Sequence, residues 1–153
     1  MSLFARMMYR ALVWKERQRA RSGRSVGGAK GEHGAPHLIT GRRGETLAYW
    51  HLRQAGYTIV ARNRRLHGVE LDLVGWDGPV LAFIEVKTRT SMEAGPPESA
   101  VSRNQQRRII KAANHYMRRF KRDAINYRFD IVSVAWDWQA GFQVRLIKDA
   151  FKD

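Results

Sequence analysis

The chain predicts an α/β domain, one mixed sheet flanked by helices in the order helix, three strands, helix, two strands. Three observations carry that expectation. Apolar and polar residues alternate at period two in several short stretches, as in Val69-Glu-Leu-Asp-Leu. Two longer stretches carry apolar residues at helical spacing, one ahead of the strands and one between the two strand groups. Turn formers separate them: Gly56, Asp77-Gly78 and Gly95-Pro96-Pro97. Such an order suits a mixed sheet with helices on its faces.

Each element has its own warrant. Over 38–55 the apolar positions Leu47, Ala48, Trp50, Leu52 and Ala55 mark a helix, and Gly56 is a stop signal. Residues 57–62 form a short strand. In 69–76, Val69, Leu71 and Leu73 alternate against Glu70, Asp72 and Val74, and Asp77-Gly78 signals a hairpin into a strand over 80–88. The Gly95-Pro96-Pro97 cluster makes 91–99 a loop. A long helix over 100–122 buries Val101, Ile109, Ala112, Ala113, Tyr116 and Phe120, and strands at 127–135 and 142–147 follow, joined by a turn at Gln139-Ala140-Gly141.

Residues 1–37 stand apart as a basic N-terminal extension ahead of a domain at 38–153. Leu3, Phe4, Met7, Met8, Ala11 and Leu12 share a helical stripe, with Arg6, Arg10 and Arg17 elsewhere on the wheel. A Gly/Ser-containing basic linker runs from Arg19 to Pro36. The helix suits docking to a membrane surface or a partner, or packing on its own domain.

The charge narrows the partner. There are 28 Lys+Arg against 14 Asp+Glu, a formal charge of +14 and a pI near 11.0. That excess attracts polyanions, nucleic acid first, and does not separate DNA from RNA. On charge alone, a ribosome- or RNA-associated protein without chemistry is the plainer expectation. With no cysteine, disulfides and thiolate metal sites are excluded. No apolar run approaches the roughly 18 residues that span a bilayer, and Arg6 and Arg10 break any secretory core, so the expectation is a cytoplasmic protein.

Acids inside the strand pair point to chemistry. Residues two apart on a strand share a face about 7 Å apart, so Glu70 sides with Asp72 and Glu85 with Lys87. The hairpin lays both strands side by side. Two carboxylates at 4 Å repel by about 4 kcal/mol at an effective dielectric near 20, and a hard cation, Mg²⁺ or Mn²⁺, is the natural remedy. Asp72 and Glu85 are the expected ligands, with the main-chain carbonyl of Val86 as a further one. Lys87 would orient or help deprotonate an attacking water, or stabilise charge on a phosphorane. Against this, a surface Glu-x-Lys pair is common and contributes under about 1 kcal/mol. The apolar Leu81-Ala-Phe-Ile84 run favours a buried strand, where charges are costly unless partnered.

Several phrases resemble those of the PD-(D/E)XK nuclease superfamily, and more closely the YraN-like bacterial proteins, an uncharacterised family related to Holliday-junction resolvases. Over about 38–147 they are Gly41-Arg-Arg-Gly-Glu45 with Ala48, Gly56-Tyr57, Asn63-Arg64, Glu70-Leu-Asp72-Leu, Phe83-Ile-Glu85-Val-Lys87-Thr-Arg89, Val101 with the basic helix, and Phe129-Asp130 with Val132. The resemblance implies a single restriction-endonuclease-like domain and adds Glu45 as a third metal-site carboxylate. An acid early in a helix also has a plainer explanation in the macrodipole.

Three departures accompany it. No proline precedes Asp72; Val69 separates Gly68 from Glu70; and Asn104-Gln105-Gln106 stands where relatives tend to place a lysine. Glu70 and Gln105 are therefore supporting residues, Glu70 either near the site or paired with an arginine. Arg64, Arg65, Arg89, Arg103, Arg107 and Lys111 suggest a track for phosphates. The histidines His33, His37, His51, His67 and His115 lack metal-ligand spacing, with His115 read as helix packing and His67 as a loop residue. The expected activity is metal-dependent hydrolysis of phosphodiester bonds in DNA, branched or junction DNA included, and the alternative is a nucleic-acid-binding module without turnover. Symmetric cutting of a four-way junction would also require a homodimer.

Overall fold

The computed structural model describes residues 2–21, 36–90, 101–121, 125–137 and 141–153. Helix α1 spans Leu3–Arg21 and α2 Pro36–Gln54; strands β1 (Thr58–Leu66), β2 (Val69–Asp77) and β3 (Val80–Thr90) follow, then α3 (Arg103–Arg119), β4 (Tyr127–Asp137) and β5 (Gly141–Phe151). The five strands lie in sequence order in one sheet. Only β3 and β4 run parallel, with α3 in the chain between them, as a parallel pair requires. The fold is the expected single α/β domain with a mixed sheet. Of the linker expected over Arg19–Pro36, residues 19–21 end α1 and Pro36 begins α2; residues 22–35, the 91–99 loop and the turn residues 139–140 lie outside the described residues.

Helices cover both faces. Leu47, Ala48 and Leu52 of α2 pack with Tyr57, Leu73, Ala82, Ile84, Val132 and Val134. On the other face Ile109, Ala112, Ala113 and Tyr116 of α3 meet Leu71, Val74, Leu81, Phe83, Phe129 and Ile131. Helix α1 rests on α2 and on β5.

Several boundaries differ from expectation for identifiable reasons. Pro36 is the first residue of α2, where its missing N–H is harmless. The Ser102 hydroxyl accepts from Gln105 N (3.3 Å), so α3 begins at Arg103 and not at residue 100. Strand β1 runs to Leu66 because His67 (φ 48) and Gly68 (φ 77) form a two-residue left-handed hairpin turn. Its exposed Arg62–Arg65 run concealed the strand in the sequence, yet charge suits the edge of a sheet.

The alternation expected in β2 also breaks. Val69 and Leu71 join the core beneath α3, and so do Val74 and Trp76, whereas Leu73 joins the core beneath α2. The phase changes at Asp72–Leu73, opposite Asn63, which holds a left-handed φ of 46° between Arg62 (paired with Leu73) and Arg64 (paired with Leu71). At the same point the ladder between β2 and β3 ends, its last pair being Leu73 with Ile84. Beyond it β2 continues with β1, while β3 continues with β4 as far as Thr90. The sheet forks at Asp72.

Helix α2 reaches that fork closely because residue 44 is glycine. A Cβ there would lie 1.8 Å from Thr88 Oγ1 and 3.0 Å from Thr88 Cβ. Gly44→Ala is expected to destabilise by about 1–3 kcal/mol despite alanine's better helix propensity, lowering the melting temperature by several degrees. Adding Thr88→Ala should recover part of the loss. A single variant that melts at or above wild type would refute this packing.

Candidate active site

Where the ladder stops, the free backbone of β3 is taken up by a side chain: Val86 N donates to Asp72 Oδ2 at 2.8 Å. This bond holds the Asp72 carboxyl against β3, on the level of Glu85. Glu85 is only 7% exposed. Its Oε1 accepts from Lys87 Nζ (2.8 Å) and from Gln105 Nε2 of α3 (2.6 Å). A buried carboxylate held by a cation and an amide is a preorganised group, at the cost of desolvating the charge.

Burial, then the nearby charge of Glu85, pushes the Asp72 carboxyl up to about 7; Glu45 adds to the rise, and the Val86 N–H and Lys87 oppose it. Thus Asp72 and Glu85 form the close acid pair anticipated from the strand spacing. Glu45, on α2, is near enough to act on Asp72 electrostatically, but its Oε2 accepts from Asn63 Nδ2 (3.0 Å). Among the described residues, no group of three or more His, Asp or Glu side chains is gathered closely enough to hold an ion. The drawn-together set is therefore a pair with Glu45 beside it. Two carboxylates and the Val86 carbonyl are hard oxygen donors, a donor set that suits a small divalent cation.

The supporting residues separate. Gln105 reaches Glu85 as an uncharged donor. Glu70 turns to Arg65 (3.2 Å) and stays 40% exposed, so it takes the arginine-paired role. With Arg42, Glu45, Thr46, Arg62 and Asn63 it lines a cleft of about 600 Å³. Arg62 lies over the Tyr49 ring, 4.5 Å from its centroid.

The basic residues do not form one strip. Arg64 and Arg65 are exposed on β1, and Arg89 is half-buried on β3. Arg103, Arg107 and Lys111 line a depression of about 750 Å³ with His115, Arg118 and Lys152. By helical periodicity that surface is turned away from the α3 face that carries Gln105 and Ile109. His115 stacks on His67 with centroids 4.0 Å apart, tying α3 to the β1–β2 turn.

One cluster carried no role in the sequence reading. Asp130 is fully buried. It accepts from Tyr57 Oη (3.0 Å), Arg128 Nε (2.8 Å) and Asp149 N (2.9 Å). Arg128 also donates to Asp77 (2.5 Å), which Lys148 approaches at 2.6 Å. The Asp130 carboxylate raises the Tyr57 hydroxyl pKa, behind desolvation as the larger cause, and the Lys148 and Arg128 hydrogen bonds lower that of Asp77. The cluster closes the hairpin end of the sheet, roughly 17 Å along β2 from Asp72. Its signal was an acid inside the apolar run Phe129-Asp-Ile-Val132.

Residues 44–134 match the profile of "Uncharacterised protein family UPF0102". A UPF0102 protein of Koribacter versatilis is 47% identical over 117 residues, covering 75% of this chain and 80% of the relative. One of Solibacter usitatus is 51% identical over 113 residues (72% and 84%), and one of Syntrophus aciditrophicus 40% over 116 residues (76% and 91%). The matched segment contains Glu45, Asp72, Glu85, Lys87 and Gln105.

Proposed function

The chain belongs to the uncharacterised protein family UPF0102, and from that premise we propose that it hydrolyses phosphodiester bonds in nucleic acid with a divalent metal, DNA being the favoured substrate. One observation carries the reading: a half-buried Asp72 beside the buried Glu85 at the fork of the sheet, with Lys87 2.8 Å from Glu85. Asp72, Glu85 and the Val86 carbonyl would hold Mg²⁺ or Mn²⁺, with Glu45 close by. Such an ion, when bound, polarises a phosphoryl oxygen and makes a water more acidic.

The chain's own groups supply the rest. Val86 N–H fixes the Asp72 carboxyl, and Gln105 fixes Glu85. Asn63 holds Glu45 in the cleft lining. Lys87 brings positive charge to the phosphoryl oxygens on which negative charge gathers in the transition state, or orients the attacking water. The cleft beside Glu45 gives the flanking nucleotides a path bounded by Arg42 and Arg62. The +14 charge draws the backbone in, more weakly as salt rises.

The test is incubation of purified protein with a four-way junction, a flap and single-stranded DNA, with and without Mg²⁺ or Mn²⁺. Metal-dependent cleavage is expected, reduced at least about 100-fold by Glu85→Gln. No cleavage of any substrate, with salt-sensitive binding retained, would instead establish a binding module on this fold. Titration calorimetry with Mn²⁺ separates the readings, since a metal site gives heat that Glu85→Gln abolishes.

A further inference from the structure

Helix α1 carries two apolar stripes, and the domain uses one. Ala5 is buried, and Tyr9, Leu12 and Val13 pack against the core beneath α2. On the other side Leu3 is 72% exposed, Phe4 62%, Met7 62% and Trp14 64%. At about 100° per residue, Leu3, Met7 and Trp14 fall within roughly 40° of one another, opposite the stripe that the domain covers. Single exposed apolar residues need no explanation, but Leu3, Met7 and Trp14 together on one helix face do.

The flanks identify the occupant. Arg6, Arg10 and Arg17 are exposed along one side of the stripe and Lys15 along the other, while Glu16, the acid of α1, is buried. An apolar ridge with basic borders complements an anionic, oily surface. A second copy placed on the same face would set these cations against their like. Nucleic acid would gain from the arginines but little from Leu3 and Met7, which offer no ring for stacking. No helix of the described residues is long and apolar enough to cross a membrane.

We propose that α1 docks the protein on an anionic bilayer, lying in the plane of the headgroups with Leu3, Met7 and Trp14 inserted and the arginines on lipid phosphates. The helix keeps its grip on α2 through its other stripe, so the α/β domain rides on the membrane surface intact. The Phe4 ring, edge-on to Trp50 with centroids 5.8 Å apart, braces the junction. This inference is independent of the chemistry proposed for the acid pair.

The experiment is co-sedimentation of the full chain with phosphatidylcholine vesicles containing phosphatidylglycerol, and with phosphatidylcholine vesicles alone. The wild type should bind the anionic vesicles and prefer them. The triple variant Leu3→Gln/Met7→Gln/Trp14→Gln should bind them at least about 30-fold more weakly, because its inserted apolar area is lost. Its thermal melt and its retention of single-stranded DNA should be unchanged. Arg6→Gln/Arg10→Gln/Arg17→Gln should lessen the preference for anionic over neutral vesicles. The idea is overturned by absence of binding to anionic vesicles, or by a triple variant that binds them as wild type does. It is equally overturned if the triple substitution abolishes a concentration-dependent dimer, which would mean that a second copy covers the face. Loss of DNA retention in the triple variant would assign the stripe to nucleic acid instead.

Discussion

Asp72→Asn is expected to abolish metal-dependent cleavage while making the metal-free protein more stable at pH 8. The two effects have one origin. In the fold the Asp72 carboxyl is pushed up to about 7, chiefly by burial and by Glu85. In the unfolded chain it ionises near 4. Between those values the unfolded state releases its proton and the folded state keeps it, so metal-free stability falls as pH rises from about 4 to 7. Above 7 the full cost is present. An interval of about three pH units at ~1.36 kcal/mol each sets an upper bound of roughly 4 kcal/mol.

Asparagine removes the charge yet keeps an oxygen to accept from Val86 N–H. Melts in chelator at pH 5 and pH 8 should show a smaller drop for the variant than for wild type. At pH 8, Mn²⁺ should raise the melting temperature of wild type alone, because an ion that binds only the folded state stabilises it. A variant no more stable than wild type at pH 8 without metal would mean that Asp72 is not a strained acid. A variant that still cleaves would remove it from the chemistry.

Asp130→Ala is expected to be the most destabilising of these substitutions and to spare the chemistry of molecules that stay folded. It deletes the acceptor of Tyr57 Oη, Arg128 Nε and Asp149 N at a fully buried position. Breaking a buried charged pair from one side costs about 3–5 kcal/mol, or roughly 10 °C in a domain of this size. Asp130→Asn, which retains an acceptor, should lose less. The same cluster governs acid sensitivity. Asp77 has a depressed pKa in the fold, so its contribution is present above the unfolded carboxylate range and is lost as pH falls through the folded value. That limb lies below the window in which Asp72 acts, so the two can be resolved in one pH series. An Asp130→Ala protein melting within about 2 °C of wild type would contradict the energetic role assigned to the cluster.

Family membership was legible because several short phrases recur in order, and it holds: the UPF0102 profile and relatives up to 51% identical cover most of the domain. The strands around Asp72 and Glu85 were legible because period-two alternation and Asp77-Gly78 are local signals. The far half of β1 was not, since an edge strand of Arg62–Arg65 has no apolar period and is defined by its turn at His67-Gly68. The role of Asp130 was not legible either, because a buried acid's partners come from positions as distant as Tyr57.

By itself the sequence determined the α/β class, the basic composition and the family, and it singled out two acids and a lysine as candidates; all of these depend on residue type and local spacing. Only the tertiary structure decided how those groups meet. The strand ladder ends at Leu73–Ile84, which frees Val86 N–H for Asp72; Asn63 bends β1 at the same level; and Gly44 lets α2 approach Thr88. The same packing set Glu70 apart with Arg65 and placed Glu45 beside the pair. Which carboxylate is buried and which is solvated depends on contacts between elements distant in the chain, and no local pattern encodes that.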